Sequence, residues 1–84
     1  MWFVYIIKCK DGSLYTGYTN DLEKRLEKHK SGKGAKYTRS HKPQKIVFSE
    51  KYDNKILAQR REREIKNWTR EEKVKFIRSQ NKPG

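Results

Sequence analysis

The first nineteen residues carry the hydrophobic pattern of a β-hairpin. The run from Trp2 to Cys9 has apolar side chains on both faces, which is typical of a strand that is covered on both sides. A turn signal follows around Gly12, and residues 14–19 have the composition of the returning strand. The chain is therefore expected to start with a buried strand paired to its neighbour.

Two loop lengths give this hairpin two registers. A two-residue turn pairs Tyr5 with Tyr18 and puts Tyr15 on the opposite face of the sheet. A three-residue loop that ends in a left-handed Gly12 pairs Tyr5 with Gly17 instead, so that both Tyr5 and Tyr15 lie on one face. We predict the three-residue loop, with Tyr5 beside a residue that has no side chain and open to a substrate.

The spacing after the hairpin is mostly helical. Asn20 and Glu23 form a capping box for a helix that stops at Gly32. The same rules predict a short helix at 35–41, a strand at 45–52, a helix at 55–68 behind an Asp53 or Asn54 cap, and a last helix behind a Thr69–Glu72 capping box. We expect one domain over residues 1–80 and a frayed tail at 81–84.

Composition narrows the class of partner. Of the 84 residues, 22 are Lys or Arg and 10 are Asp or Glu, which gives a net charge of +12 and favours a polyanion. A membrane is not the expected partner, because no apolar run approaches about 18 residues. The single Cys9 excludes an intramolecular disulfide, and with two scattered histidines it cannot build a zinc site. We expect a reduced, cytoplasmic protein that binds nucleic acid.

Several residues in this pattern are suited to phosphodiester hydrolysis. Tyr5 and Tyr15 stand in the two hairpin strands, and Arg25 and His29 are four residues apart and share a helix face. Hydrolysis of a phosphodiester needs an activated water and neutralisation of charge at the phosphate. Each residue alone has a plainer interpretation, as a half-buried strand tyrosine or a solvated helix residue. Their joint spacing favours a shared site.

Glu62 is the candidate acid of this site. Ala58 at i−4 and Ile65 at i+3 predict that Glu62 lies at the edge of a buried helix face. Glu64 has charged neighbours and is more easily interpreted as a surface ion-pairing residue. A purely structural interpretation of Glu62, as the partner of Lys66 at i+4, stays open.

The ordered series of candidate residues resembles the GIY-YIG nuclease superfamily, and the length is similar to that of its small single-domain bacterial members. Val4-Tyr5-Ile6 and Tyr15-Thr16-Gly17 stand at the two tripeptides that name the superfamily, with Val4 in place of glycine and Thr16 in place of isoleucine. The resemblance implies an α/β (α+β) domain with a three-stranded antiparallel sheet flanked by helices, in the order β-β-α-(α)-β-α-α. That order agrees with the elements predicted above.

The resemblance also implies roles for the candidate residues. Tyr5 would be the general base, Tyr15 would orient the water or bind phosphate, and Arg25 would clamp the phosphate. His29 would assist proton transfer, and Glu62 would bind the metal, with Glu64 as the fallback. The implied metal is Mg²⁺ or Mn²⁺, which we expect to bind weakly without nucleic acid.

A second set of residues is expected to contact the substrate: Gly17, Lys36, Tyr37, Thr38 and Arg39. The segment at 32–39 mixes glycines, cations, hydroxyls and an aromatic ring, and it resembles the matching stretch of the small family members. We expect a metal-dependent endonuclease acting on DNA rather than RNA, including structured or repair-related DNA. The alternative is a DNA- or RNA-binding module that keeps the fold without catalysis.

Overall fold

The computed structural model of the protein describes residues 1–34 and 36–80, and within the short helix it leaves out the side chains of residues 37–39. Two expectations from the sequence, a helix beginning at Ala35 and a frayed tail at 81–84, lie outside the described residues. The described residues form seven elements in chain order: β1 (Trp2–Cys9), β2 (Leu14–Thr19), α1 (Leu22–Lys30), α2 (Lys36–His41), β3 (Pro43–Tyr52), α3 (Lys55–Lys66) and α4 (Arg70–Gln80).

The three strands form one antiparallel sheet in the order β2-β1-β3. This confirms the predicted α+β fold and its element order. In the part of the chain that the structure describes, no helix is long and apolar enough to cross a membrane.

The central strand β1 has a hydrophobic core on each face, as its apolar pattern predicts. Val4 and Ile6 are fully buried on one face, in the first core cluster, together with residues of β3 and α3. Tyr5, Ile7 and Cys9 are buried on the other face, in the second core cluster, which α1 covers. Because side chains alternate along a strand, the two clusters lie on opposite sides of the sheet.

The hairpin adopts the predicted three-residue loop. Tyr5 pairs with Gly17 and Ile7 pairs with Tyr15, so both tyrosines lie on the face of the second cluster. Gly12 has a φ of 88°, a left-handed conformation that glycine adopts without steric cost. A one-residue change in the loop would have turned Tyr15 to the other face.

The cap of α1 is one residue later than predicted. The Asp21 carboxylate accepts a hydrogen bond from the backbone N–H of Lys24, so Asp21 and not Asn20 is the N-cap. The cause lies in Thr19, whose buried hydroxyl accepts a hydrogen bond from the Asp21 N–H and turns the chain there. The capping box predicted for Asn20 and Glu23 is therefore wrong.

The predicted caps of α3 and α4 are confirmed. The Asn54 side chain accepts a hydrogen bond from the Leu57 N–H. Thr69 and Glu72 bond reciprocally: the Glu72 N–H donates to the Thr69 hydroxyl, and the Thr69 N–H donates to the Glu72 carboxylate.

Two predicted boundaries move by two residues. β3 begins at Pro43 rather than at 45, since the first position of an edge strand tolerates a residue without an N–H. α3 ends at Lys66 rather than at 68, where Asn67 is the C-cap.

Candidate active site

A tyrosine–histidine contact joins β1 to α1 on the sheet face that carries the second core cluster. The Tyr5 hydroxyl is 3.0 Å from Nε2 of His29, which α1 carries across the sheet face. Only 2% of Tyr5 and 1% of His29 are exposed. Burial, followed by the positive charge of Arg25, lowers the pKa of His29, so its imidazole is held neutral. A neutral imidazole can accept the phenol proton at Nε2 when its other nitrogen carries the hydrogen.

Burial has the opposite effect on the tyrosine. The pKa of Tyr5 is raised, first by burial and then by the nearby Tyr15 and Glu62, while the charge of Arg25 opposes the shift. Tyr5 is therefore a protonated phenol at neutral pH. Desolvation of the Tyr5 hydroxyl outweighs the charge of Arg25, which acts to lower this pKa.

Gly17 does not leave Tyr5 open to solvent. A Cβ atom at Gly17 would lie 2.5 Å from the Tyr5 hydroxyl oxygen and 3.2 Å from Cε2 of Tyr15. The Tyr5 ring thus fills the space that a side chain at position 17 would take. The predicted pairing is right, but the expectation of an open Tyr5 is wrong, since the glycine is covered by the phenol itself.

A second glycine packs against the histidine. A Cβ atom at Gly34 would lie 2.3 Å from Nδ1 of His29 and 2.9 Å from its Cα. The loop after α1 reaches this position through its Schellman-type end, in which the Lys33 N–H bonds to the Lys28 carbonyl. The sequence gives no signal for this contact, because it depends on the path of the loop.

Tyr15 stands beside this pair and is partly exposed. The centroid of its ring is 5.2 Å from that of His29 and 6.4 Å from that of Tyr5. Burial, then Glu62, raises the pKa of Tyr15, and Arg25 opposes the shift. Three predicted site residues from β1, β2 and α1 are thus brought together.

Arg25 and Glu62 act on the same tyrosines from different helices. The Arg25 charge lowers and the Glu62 charge raises the pKa of both Tyr5 and Tyr15. Arg25 is half-buried on α1, and Glu62 lies on α3 with 15% of its side chain exposed. One cation and one carboxylate therefore flank the tyrosine–histidine cluster.

The position of Glu62 agrees with its sequence neighbours. Ala58 and Ile65 are fully buried, which leaves Glu62 at the edge of that face. Lys66 Nζ lies 3.8 Å from the Glu62 carboxylate, so the i+4 ion pair is also present. Glu64 is largely exposed and pairs with Arg61 at 2.5 Å, as expected of a surface residue.

The donor set suits a metal that is shared with a substrate. Within residues 1–34 and 36–80, no group of three or more His, Cys, Asp or Glu side chains is arranged to hold an ion. Mg²⁺ nevertheless binds through one or two carboxylates together with waters and substrate phosphates. Glu62, one partly exposed carboxylate, fits that mode and does not fit a metal held by protein alone.

The second predicted set is only partly described. Lys36 is exposed at the start of α2. The side chains of Tyr37, Thr38 and Arg39 lie outside the described part of the chain.

Comparison with known proteins identifies the family. Residues 1–75 match the model of the GIY-YIG catalytic domain. A UPF0213 protein from Staphylococcus saprophyticus is 53% identical over 75 residues, which is 89% of this chain and 92% of that protein. A UPF0213 protein from Staphylococcus aureus is 53% identical over 76 residues, which is 90% of this chain and 93% of that protein.

A solved structure agrees with the fold. The solution NMR structure of a UPF0213 protein from Bacillus halodurans has a TM-score of 0.63 and 45% sequence identity, and the match covers 99% of this chain and 89% of that one. GIY-YIG domains are generally nuclease domains that use divalent metals. The chain, matched over nearly its whole length, belongs to the GIY-YIG family.

Proposed function

We propose that the protein is a divalent-metal-dependent endonuclease that hydrolyses DNA phosphodiester bonds. The observation that carries this proposal is the 3.0 Å contact between the Tyr5 hydroxyl and His29 Nε2, with Tyr15 packed beside it. A hydroxyl bonded to a neutral imidazole is an arrangement for moving a proton.

In the proposed mechanism, Tyr5 and His29 work as a pair. The protonated Tyr5 cannot by itself deprotonate a water. It can do so if its own proton passes to Nε2 of His29 as the water attacks, because burial keeps that imidazole neutral. His29 is then the final proton acceptor, and Tyr5 is the group that contacts the water.

The partly exposed residues of the cluster contact the substrate. Arg25 clamps the phosphate with its planar donor fork and stabilises the charge that develops on it. Tyr15 orients the water or donates to a phosphate oxygen. Glu62 would hold Mg²⁺ or Mn²⁺, and the metal would supply charge stabilisation at the phosphate and the leaving oxygen. Lys66 must release Glu62 for this to happen, since it pairs with that carboxylate at 3.8 Å.

DNA is the proposed substrate because the protein is strongly basic and belongs to the GIY-YIG family. The net charge of +12 supports binding to any polynucleotide, and GIY-YIG domains are generally nuclease domains. Lys36, Tyr37, Thr38 and Arg39 are proposed to contact phosphates of the substrate. Gly17, predicted to belong to the same set, is covered by Tyr5, and its proposed role is to leave room for the Tyr5 ring. The proposed substrates include structured and repair-related DNA.

A specific observation favours a second candidate, a DNA- or RNA-binding module without catalysis. Tyr5 and His29 are almost completely buried, and burial raises the pKa of Tyr5. An enclosed phenol with a raised pKa is also what a structural hydrogen bond in a core would give. Binding without turnover would follow from the same fold and charge.

A cleavage assay separates the two candidates. The purified protein is incubated with plasmid, branched, single-stranded and RNA substrates in Mg²⁺ or Mn²⁺, alongside Glu62→Gln, Tyr5→Phe and an EDTA control. We expect cleavage by the wild type, and a loss of about 10²-fold or more in rate for each variant. Both variants should still bind DNA.

The matched control is Glu64→Gln, which removes the fallback carboxylate two residues further along α3, an exposed side chain that pairs with Arg61. It should cleave like the wild type, because Glu64 pairs with Arg61 at the surface. Salt-sensitive binding without cleavage of any substrate would decide for the binding module. Cleavage that survives in Glu62→Gln would contradict the assignment of the metal to Glu62.

A further inference from the structure

A groove of about 330 Å³ lies on the sheet face opposite the tyrosine–histidine cluster. Lys8 of β1 lines it and, by strand alternation, shares the face of Val4 and Ile6. The rim of this groove carries four cations: Lys8, Lys45, Arg70 and Arg78. The proposed nuclease function uses none of them.

The four rim cations lie close together although their positive charges repel one another. Lys8 and Lys45 are direct cross-strand partners, an arrangement that destabilises a sheet when both residues have the same charge. Arg70 is oriented from α4 by a hydrogen bond from Nη2 to the Gly12 carbonyl, at 3.0 Å. Within the described ranges, none of the four rim cations forms an ion pair with a carboxylate. The groove therefore has an uncompensated positive rim.

The floor of the groove is aliphatic. Leu14, Val47, Val74 and Ile77 line it, and all four are half-buried. A register shift in β3 opposite Ile6 and Ile7 lets consecutive residues Val47 and Phe48 both pack on the first core cluster. Among the described residues that line the groove, none is aromatic.

The charged rim and the aliphatic floor of the groove argue against three possible ligands. Single-stranded nucleic acid is usually bound by aromatic side chains on which bases stack, and this groove offers none among its described residues. A duplex presents phosphates to the rim but leaves the aliphatic floor uncovered. A second copy of this chain brings another net charge of +12, which opposes its approach.

An amphipathic protein segment uses both features. We propose that the groove binds an acidic amphipathic segment of a partner protein, with its aliphatic side chains on the floor and its carboxylates against the four rim cations. Helix-in-groove recognition works in this way, and complementary charge fixes the orientation of the segment.

Nuclear magnetic resonance titration tests the proposal directly. The isotopically labelled protein is titrated with an unlabelled peptide of about four helical turns, with leucines at i, i+3, i+4 and i+7 and glutamates on its flanks. We expect backbone amide shifts at Leu14, Val47, Val74 and Ile77. A peptide of the same composition with scrambled leucine spacing should cause none. No shift at these residues at about 1 mM peptide, where a millimolar Kd gives half-saturation, would overturn the proposal.

Variants of exposed rim residues test the contribution of charge without disturbing the core. Lys45→Gln combined with Arg78→Gln should weaken peptide binding by about three- to tenfold, as for two exposed ion pairs. The matched control is Lys24→Gln. Lys24 lies on α1, which packs on the opposite face of the sheet, so this variant should bind the peptide like the wild type. If the double variant loses duplex DNA binding and keeps peptide binding, the groove is a nucleic-acid contact and the proposal is wrong.

The proposal is independent of catalysis. Glu62→Gln should bind the peptide as the wild type does, since Glu62 does not line the groove. Failure of DNA cleavage would therefore leave the peptide result unchanged, and failure of peptide binding would leave the cleavage result unchanged.

Discussion

At the scale of single residues, burial sets the chemistry of the candidate site. His29 and Tyr5 carry ionisable groups in a core where the charged form of either is unfavourable. Each group is consequently held neutral at rest. In the proposed mechanism the Tyr5 proton passes to His29 only as the attacking water replaces it, so that no phenolate–imidazolium pair has to persist in the core. The same burial makes stability depend on pH.

The dependence on the acid side follows from His29. The pKa of His29 in the folded protein lies below 6.5, the ordinary value that applies to the unfolded chain. As the pH falls through 6.5, the unfolded state therefore binds a proton at His29 before the folded state does. The stability contributed by neutral His29 is thus present above about pH 6.5 and is lost below it. We expect the Tm of the wild type to fall between about pH 7.5 and about pH 5, and to fall less in His29→Gln. An equal decline in both proteins would show that other groups cause it.

Thr16 gives a second prediction at this scale. It is 3% exposed, and its hydroxyl has no hydrogen-bond partner among the described residues. Thr16→Val removes an unsatisfied buried hydroxyl and should raise the free energy of unfolding by about 1 kcal/mol. Thr19→Val is the control, because the Thr19 hydroxyl accepts from the Asp21 N–H and its loss should destabilise by about 1 kcal/mol. Urea denaturation measures both changes, and an unstable Thr16→Val would contradict this account.

At the scale of elements, the sequence predicts most of the fold. The hairpin register follows from Gly12 and from the need to pair Tyr5 with Gly17, and the structure confirms it. The cap of α1 is missed because Thr19, a strand residue, turns the chain through its side chain. The close packing of Gly34 on His29 is missed for a related reason, since no local pattern reports where a loop lies in three dimensions.

The corrected cap can be tested against the predicted one. Asp21→Ala removes the acceptor for the Lys24 N–H and should lower the free energy of unfolding by about 1 kcal/mol. Asn20→Ala should change it by less than about 0.5 kcal/mol, because Asn20 is exposed and does not cap the helix. Chemical denaturation of the two variants decides the matter. A larger loss for Asn20→Ala would restore the cap that the sequence pattern favoured.

At the scale of the whole molecule, we propose that one face of the sheet cleaves DNA and that the opposite face binds a partner protein. α1 covers the second core cluster and carries Arg25 and His29, whereas α4 packs on the first core cluster with Phe76 and Ile77. The net charge of +12 attracts a polyanion to either face. The affinity of the wild type alone therefore cannot show which face binds DNA. The effect of single substitutions on the salt dependence of that affinity can.

Each phosphate that a cation neutralises adds about 0.9 to the slope of log Kobs against log salt for duplex DNA. If DNA lies on the face that carries Tyr5 and Tyr15, Arg25→Gln should reduce that slope by about one. The matched control is Lys75→Gln, an exposed residue of α4, which packs on the other side of the sheet and should leave the slope unchanged. Fluorescence anisotropy over a series of salt concentrations, with Glu62→Gln as the background to prevent cleavage, gives both slopes. The reverse result, a lower slope for Lys75→Gln alone, would move the DNA to the face of α4 and separate it from the tyrosine–histidine cluster.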